Sequence, residues 1–416
     1  MKFYLKSLGC KQNALEGQII QNELIKNDYV EVFDIKQADI YILNSCSVTG
    51  HSDSQTNYLL NHAKKINPNI KTILTGCCAQ THKLHKDFKY EGIDLIIGNT
   101  EKINIIEYIE KSGLFVQDIM KKNDFENKLL FNPQSTRVSV KIQDGCNNRC
   151  SYCIIPYARG NSRSNSIENI LQQINIISNK GIKEIVLTGI HIGQWGLEFN
   201  KTLLDLLKEI EKTDIPRYRL GSLYINEIDD KMIDFLSESK KFCPHFHLSL
   251  QSMCDKTLKN MNRLYCVDEE LNVINKLHKA FDAPYLGCDI IVGFPYEDDS
   301  DFKVTYKNLE LAELSSIHCF PYSIRENTPA SKMPQIQDKV KTERVQKIMK
   351  LSEKLHKNFL EKNKNRIEEI LIQKKSPKTG LYSAVTRNYI KIHFKSDEKN
   401  LRHTLKKVNL ADYELE

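Results

Sequence analysis

No stretch of this 416-residue chain approaches the ~18 consecutive apolar residues that a membrane helix requires. The N-terminus, MKFYLKSLGCKQN, has no apolar core of the secretory type, because Lys2, Lys6 and Lys11 interrupt it. No repeat of solenoid length recurs, and there is no low-complexity tract. Charge of one sign is scarce in excess: 60 Lys and Arg against 53 Asp and Glu leave +7. These absences argue against a membrane protein, a secreted protein and a repeat array. With 40% hydrophobic and 27% charged residues, the composition is that of a globular protein, and the length allows two or three domains with ample core. The expectation is a soluble, cytoplasmic protein with no membrane partner.

Cysteine, by contrast, is abundant, with 12 residues. Without a secretory route, disulfides are not its default use, so metal binding or redox chemistry leads.

The hydropathy pattern organises the chain. Apolar runs at Phe3–Leu8, Ile40–Leu43, Thr72–Leu74 and Leu95–Ile97 alternate with helix-compatible stretches such as Glu16–Lys26 and Ser54–Ile66. Such alternation predicts a parallel α/β domain over residues 1–111. Residues 112–135 are polar in their second half, contain Pro133, and read as a linker. A second alternation follows, with strands expected at 138–142, 184–188, 217–221, 246–250, 286–292 and 317–320. Helical patterns lie between them, and a long charged helix at 338–364 closes the region. Six β/α units favour a partial (β/α)6 barrel over 136–364, because right-handed crossovers curl such a sheet. Residues 365–416 carry short strand-like runs at 367–372, 381–385, 389–394 and 405–409, which suggests a small all-β barrel. The fold class is α/β with this small β module appended.

Cys146, Cys150 and Cys153 form C-x3-C-x2-C directly after the first barrel strand. Thiolates are the natural ligands of iron–sulfur clusters, and three ligands on a four-iron cluster leave one iron open. A loop at the C-terminal end of a barrel strand is also where barrel enzymes do chemistry. The competing reading, a structural zinc site, would want a closed set of four ligands. Cys10, Cys46 and Cys77 are far apart in sequence, but each follows an expected strand of the first domain. In a parallel sheet those ends share one edge, so the three could hold a second cluster. The bland alternative is three buried apolar-like cysteines. Cys288 and Cys319 lie inside apolar runs and read as core; Cys78 adjoins Cys77 and could line the first site, but Cys77 is the better ligand candidate by strand-end register.

On these motifs the chain resembles the radical S-adenosylmethionine methylthiotransferases. The motifs are Gly9-Cys10-Lys11, Leu43–Thr49, Thr75–Gln80, Gly145–Gly160, Leu187–Gly189, His247–Ser252, Met261–Arg263, Asp289–Pro295 and Pro321–Ser323. Lys141–Cys146, Tyr152–Gly160 and Leu187–Gly193 are most similar to the branch acting on N6-threonylcarbamoyladenosine at tRNA position 37. The resemblance implies an N-terminal cluster domain, a radical barrel and a TRAM-like C-terminal module. It implies two [4Fe-4S] clusters, one on Cys10, Cys46 and Cys77 and one on Cys146, Cys150 and Cys153, the latter chelating S-adenosylmethionine. It implies radical methylthiolation of adenine carbon 2, giving the 2-methylthio nucleoside, with an electron donor such as flavodoxin or ferredoxin. The sulfur donor is left unidentified. Sister branches act on isopentenyladenosine in tRNA or on an aspartate of a ribosomal protein. A non-enzymatic rival is a metal-stabilised RNA-binding protein.

Three positions depart from the family pattern: Ser45 replaces a usual Thr, while Met253 and Tyr296 stand where Gly is common. The last two are expected to put bulk on loops near the cofactor end. Gly189, Ser249 and Gln251 are candidate S-adenosylmethionine contacts by their strand-end positions. Asp289, inside an apolar run, is either functional or a satisfied buried carboxylate. Arg159 and Arg163 could meet phosphate or carboxylate, or could be solvated. The net charge resides at the C-terminus. Residues 371–410 hold ten Lys or Arg and two Asp or Glu, a local excess of eight, which suggests a phosphate-backbone footprint for tRNA.

Overall fold

The computed structural model describes residues 1–84, 92–398 and 400–416. Its first sheet is wholly parallel. The strands are β1 (Lys2–Ser7), β2 (Val30–Glu31), β3 (Ile40–Ser45), β4 (Lys71–Gly76), β5 (Leu95–Ile97) and β6 (Gly113–Phe115), in the order β2-β1-β3-β4-β5-β6. Helices α1 (Lys11–Lys26), α2 (Gly50–Ile66) and the single turn α3 (Cys77–Gln80) follow strands β1, β3 and β4. Strand β3 is buried at all six positions, IYILNS, as expected of a central strand covered on both faces. The strand order matters for function. It places β1, β3 and β4 side by side, so the chain leaves the sheet at Cys10, Cys46 and Cys77 along one edge.

The second unit is an arc of seven parallel strands in two adjoining sheets. β7 (Arg137–Lys141) is followed by a small antiparallel pair, β8 (Gln143–Asp144) with β9 (Arg163–Ser164), which anchors the two ends of the cysteine loop. Helix α4 (Ile155–Arg159) lies inside that loop. Then come α5 (Ile167–Asn179), β10 (Glu184–Thr188), α6 (Leu203–Glu211), β11 (Arg217–Leu220), β12 (Ser222–Leu223), α7 (Asp230–Glu238), β13 (His245–Gln251), α8 (Asp255–Asn260), α9 (Val267–Ala280), β14 (Tyr285–Val292), α10 (Asp299–Leu311), β15 (Ser316–Pro321) and α11 (Asp338–Asn363). Pairing runs β7-β10-β11 and β12-β13-β14-β15, with β11 and β12 separated by Gly221. The arc is a partial barrel. Side chains alternate along it: Cys288, Ile290 and Val292 of β14 are fully buried under the outer helices, while Asp289 and Ile291 turn inward and stay half-buried.

The C-terminal module is an antiparallel sheet of β16 (Ile367–Lys375), β17 (Tyr382–Thr386), β18 (Lys391–Phe394) and β19 (Leu405–Asn409), ordered β18-β17-β16-β19. It is an open sheet rather than the expected closed barrel. A bridge from Leu415 to Ile392 covers part of the β18 edge, which shields backbone groups that an exposed edge would leave unpaired. The module caps the N-terminal end of the barrel strands. Arg219 donates to the carbonyls of Thr386 and Arg387, both at 2.7 Å, and Tyr389 packs tilted against His245 and edge-on against Tyr285. The opposite end of the barrel is left to the N-terminal domain. No helix among the described residues is long and apolar enough to cross a membrane.

Candidate functional site: two cysteine trios

The backbone brings Cys10, Cys46 and Cys77 together. Gly9 has φ +88°, a region that favours glycine, and a Cβ there would lie 2.6 Å from Cys46 Sγ. Gly76 repeats the device before Cys77, with φ +92° and a hypothetical Cβ 2.3 Å from the Ser45 carbonyl oxygen. Glycine in front of two of the three cysteines thus lets the strand ends close on one another. Each thiol feels the others. Burial, followed by the neighbouring Cys77, pushes Cys46 up to about 11. Cys10 keeps solvent contact at its surface, yet surrounding protein atoms still raise its thiol. Left alone, such thiols stay protonated at neutral pH. A cationic metal core is what ionises them.

Arg159 connects this trio to the barrel. It lies six residues after Cys153, is only 1% exposed, and donates from Nε to Cys77 Sγ at 3.4 Å. Its other nitrogens grip Glu16 of α1 at 2.6 and 2.9 Å. Glu16 also binds Lys102 and, at 2.8 Å, Lys141. Asp144 takes Lys141 at 2.8 Å, and Arg163 approaches it at 3.5 Å. Burial would raise the Glu16 carboxyl, but Arg159, Lys102 and Lys141 hold it well below the usual range. Four cations therefore face two carboxylates in a buried cluster, and the surplus positive charge lies beside Cys77. Arg159 and Arg163 are thus neither solvated nor free for phosphate. A second clasp, Arg325 to Asp53 at 2.6 Å, holds the other side of the N-terminal domain to the loop after β15.

The barrel trio is held from its own surroundings. Cys146 Sγ lies 3.3 Å from His191 Nδ1, and His191 Nε2 bonds Glu227. Burial would lower His191, but its bonds to Cys146 and Glu227 outweigh that and raise it to about 9. Arg263 donates from Nη1 to Cys150 Sγ at 3.4 Å and stacks 4.0 Å over the Tyr224 ring. Burial, then the proximity of Cys150, pushes the Cys153 thiol up to about 12. Among the described residues, one His/Cys/Asp/Glu group has all its donor atoms within 4.8 Å, and it contains no cysteine. The sulfurs of neither trio meet that spacing. A single zinc holds sulfurs at about 2.3 Å from itself, which draws them closer than this, so the trios fit a multi-iron core better than one ion.

The candidate cofactor contacts sit at this same end. Gly189 packs against Gln143, where a Cβ would meet Oε1 at 2.9 Å. The Ser249 carbonyl accepts from Tyr265 Oη at 2.7 Å and from Arg263. Gln251 ends β13 with φ +70°. Of the other cysteines, Cys288 is core as expected, Cys319 is partly buried against that core, and Cys78 packs into the core of the first domain. Met253 is fully buried in the barrel core instead of lining a loop. Its side chain turns under the outer helices, where Asn308 bonds its carbonyl. Tyr296 is exposed, with φ +66°. Glu16, Lys102, His191, Glu227 and Arg263 were not anticipated as site residues. His191 and Arg263 stand inside the recognised motifs, and a charged residue there without a solvent-facing pattern is the signal that could have found them.

Residues 140–309 match the Radical SAM superfamily, and residues 2–98 match the uncharacterized protein family UPF0004. The chain is 35% identical to the threonylcarbamoyladenosine tRNA methylthiotransferase MtaB of Aquifex aeolicus, over 94% of this chain and 96% of that protein. This chain belongs to the radical S-adenosylmethionine methylthiotransferase family. The MtaB protein of Bacillus subtilis is also 35% identical to this methylthiotransferase, over 98% and 93% of the two chains. A tRNA-2-methylthio-N(6)-dimethylallyladenosine synthase of Natranaerobius thermophilus is 30% identical, over 96% and 92%. Among solved structures, the radical S-adenosylmethionine methyltransferase TsrM of Kitasatospora setae superposes with TM-score 0.57 at 11% identity, covering 79% of this chain and 77% of that one. That likeness supports the fold of the methylthiotransferase family member described here.

Proposed function

We propose that this enzyme methylthiolates carbon 2 of N6-threonylcarbamoyladenosine at position 37 of tRNA. The observation that carries the reading is the Arg159 contact. A residue of the barrel's cysteine loop touches Cys77 of the other trio, so one side chain ties the two cysteine sites together. In this reading Cys10, Cys46 and Cys77 hold one [4Fe-4S] cluster, and Cys146, Cys150 and Cys153 hold the other. When bound, the clusters and S-adenosylmethionine supply the one-electron chemistry that an unactivated C–H bond requires.

The chain's own residues do the rest. Arg159 and Arg263 hydrogen-bond Cys77 Sγ and Cys150 Sγ, which restrains each ligand's rotamer. His191, braced by Glu227, restrains Cys146 in the same way. Gly189, Ser249 and Gln251 are assigned to the S-adenosylmethionine pocket, at the barrel end that the N-terminal domain covers. The Glu16 and Asp53 clasps hold that domain in place and limit water entry. The basic C-terminal module would hold the tRNA backbone. Some of its charge is already engaged, since Arg387 binds the Lys240 carbonyl of the barrel and Arg402 binds the Gln134 carbonyl just before β7. Lys391, Lys406 and Lys407 are exposed and remain for phosphate. Reducing equivalents would come from a small donor of the flavodoxin or ferredoxin type.

The test is mass spectrometry of tRNA nucleosides from a strain lacking the gene. Loss of 2-methylthio-N6-threonylcarbamoyladenosine, with the isopentenyl product intact, is expected. The reverse pattern would move the enzyme to the isopentenyladenosine branch. Anaerobic iron and sulfide analysis tests the class itself, because stoichiometric zinc without iron would restore the RNA-binding rival.

A further inference from the structure

A cluster outside both cysteine trios has the composition of a metal centre. His247, Asp289 and His318 lie on the adjacent strands β13, β14 and β15. Asp289 and His318 are direct cross-strand partners. His247 pairs with Gly287, two residues before Asp289, and so lies diagonally across from it. The alternation that buries Cys288 and Ile290 under the helices turns all three side chains to the inner face of the arc.

Both imidazoles converge on one carboxylate oxygen. His247 Nε2 stands 3.0 Å from Asp289 Oδ1, and His318 Nδ1 stands 3.6 Å from the same atom. The ring centroids are 5.1 Å apart. A tetrahedral ion with bonds of about 2.0–2.1 Å holds neighbouring donor atoms roughly 3.3 Å apart, and the two observed distances bracket that value. The side chains are 17%, 27% and 53% exposed, so the site opens on one side. Two imidazoles and one carboxylate with an open position form the donor set of catalytic zinc and non-haem iron(II) centres.

We propose that His247, Asp289 and His318 bind one divalent transition-metal ion on the inner face of the barrel, separate from the cysteine trios, with an open coordination position. Gly287 has no side chain to fill the space beside His247, which leaves the ring free to align. A plain hydrogen-bonded His–Asp–His cluster is the competing state.

The experiment equilibrates the full-length, cluster-loaded enzyme anaerobically with Zn2+ alone, removes excess ion, and measures zinc and iron together. One zinc per chain with iron unchanged, and a zinc K-edge shell of nitrogen and oxygen only, is the expected result. Asp289→Asn and His318→Ala should each weaken zinc binding by more than about 100-fold, beyond the 10–100-fold typical of outer-shell changes. His318 is half-exposed on the edge strand, so its variant tests the site even if the Asp289 variant folds poorly. Retention of no zinc, sulfur in the zinc shell, zinc gained only as iron is lost, or full binding by His318→Ala would each overturn the proposal.

Discussion

Cys146, Cys150 and Cys153 reach one site because a single short loop carries them, whereas Cys10, Cys46 and Cys77 reach theirs because three parallel strands end on one edge. The loop trio is supported from within the barrel, by Arg263 on Cys150 and His191 on Cys146. The dispersed trio is supported from the other domain, by Arg159 on Cys77. One site is therefore local and self-contained, and the other is complete only when the domains are docked. This difference implies that damage to the interface should harm the N-terminal site and spare the barrel site.

The strongest way to sharpen the comparison is ligand removal. Cys10→Ala and Cys150→Ala should each abolish product. Iron per chain should fall from roughly eight to roughly four in either variant, with the other cluster retained. If Cys10→Ala kept full methylthiolation, the two-site reading would be wrong.

Next comes the interface. Glu16→Ala leaves Arg159, Lys102 and Lys141 buried without their shared partner, at a cost of about 3–5 kcal/mol. Anaerobic denaturant titration should show that loss. Its iron deficit should be confined to the N-terminal site, and an equal deficit at both sites would defeat the contrast. Arg263→Lys should act oppositely, perturbing the barrel cluster's spectrum while leaving domain docking intact.

A smaller effect separates charge that is paired from charge that is not. Glu270, in the first turn of α9, is fully buried and neither carboxylate oxygen has a hydrogen-bond partner. Burial raises its carboxyl well above the ordinary value. The folded protein therefore keeps its proton where the unfolded chain releases it, so the residue opposes folding increasingly as pH rises above the unfolded value. Glu270→Gln should gain stability relative to the parent as pH is raised from 6 to 9, levelling off once the folded carboxyl ionises. A flat difference across that range would show that Glu270 is ionised in the fold. The smallest change is Tyr296→Gly, which relieves a left-handed backbone at φ +66° and should stabilise by up to about 1 kcal/mol in thermal unfolding.

Much of this was legible beforehand. Helix α5 at 167–179 and strands at 184–188, 95–97 and 405–409 fall where periodicity puts them. Their apolar spacing is set by burial against a sheet, which needs no distant information. The short elements escaped: β2, β6, β8, β9, α3, α4 and α8 are two to six residues long. Such pieces carry too few residues for a period, and tertiary contacts decide them. Met253 illustrates a different limit. A bulky residue at a loop position looks like an obstruction, and only the packing shows that it points into the core.

The sequence by itself determined the α/β architecture, the six cysteines and the basic character of residues 371–410, because spacing, alternation and charge are properties of the chain. Tertiary structure decided which charges meet. Glu16 and Arg159 are 143 residues apart, and His247, Asp289 and His318 lie on three separate strands. Burial in a low-dielectric interior makes such pairings strong, and only the folded chain brings their members within reach.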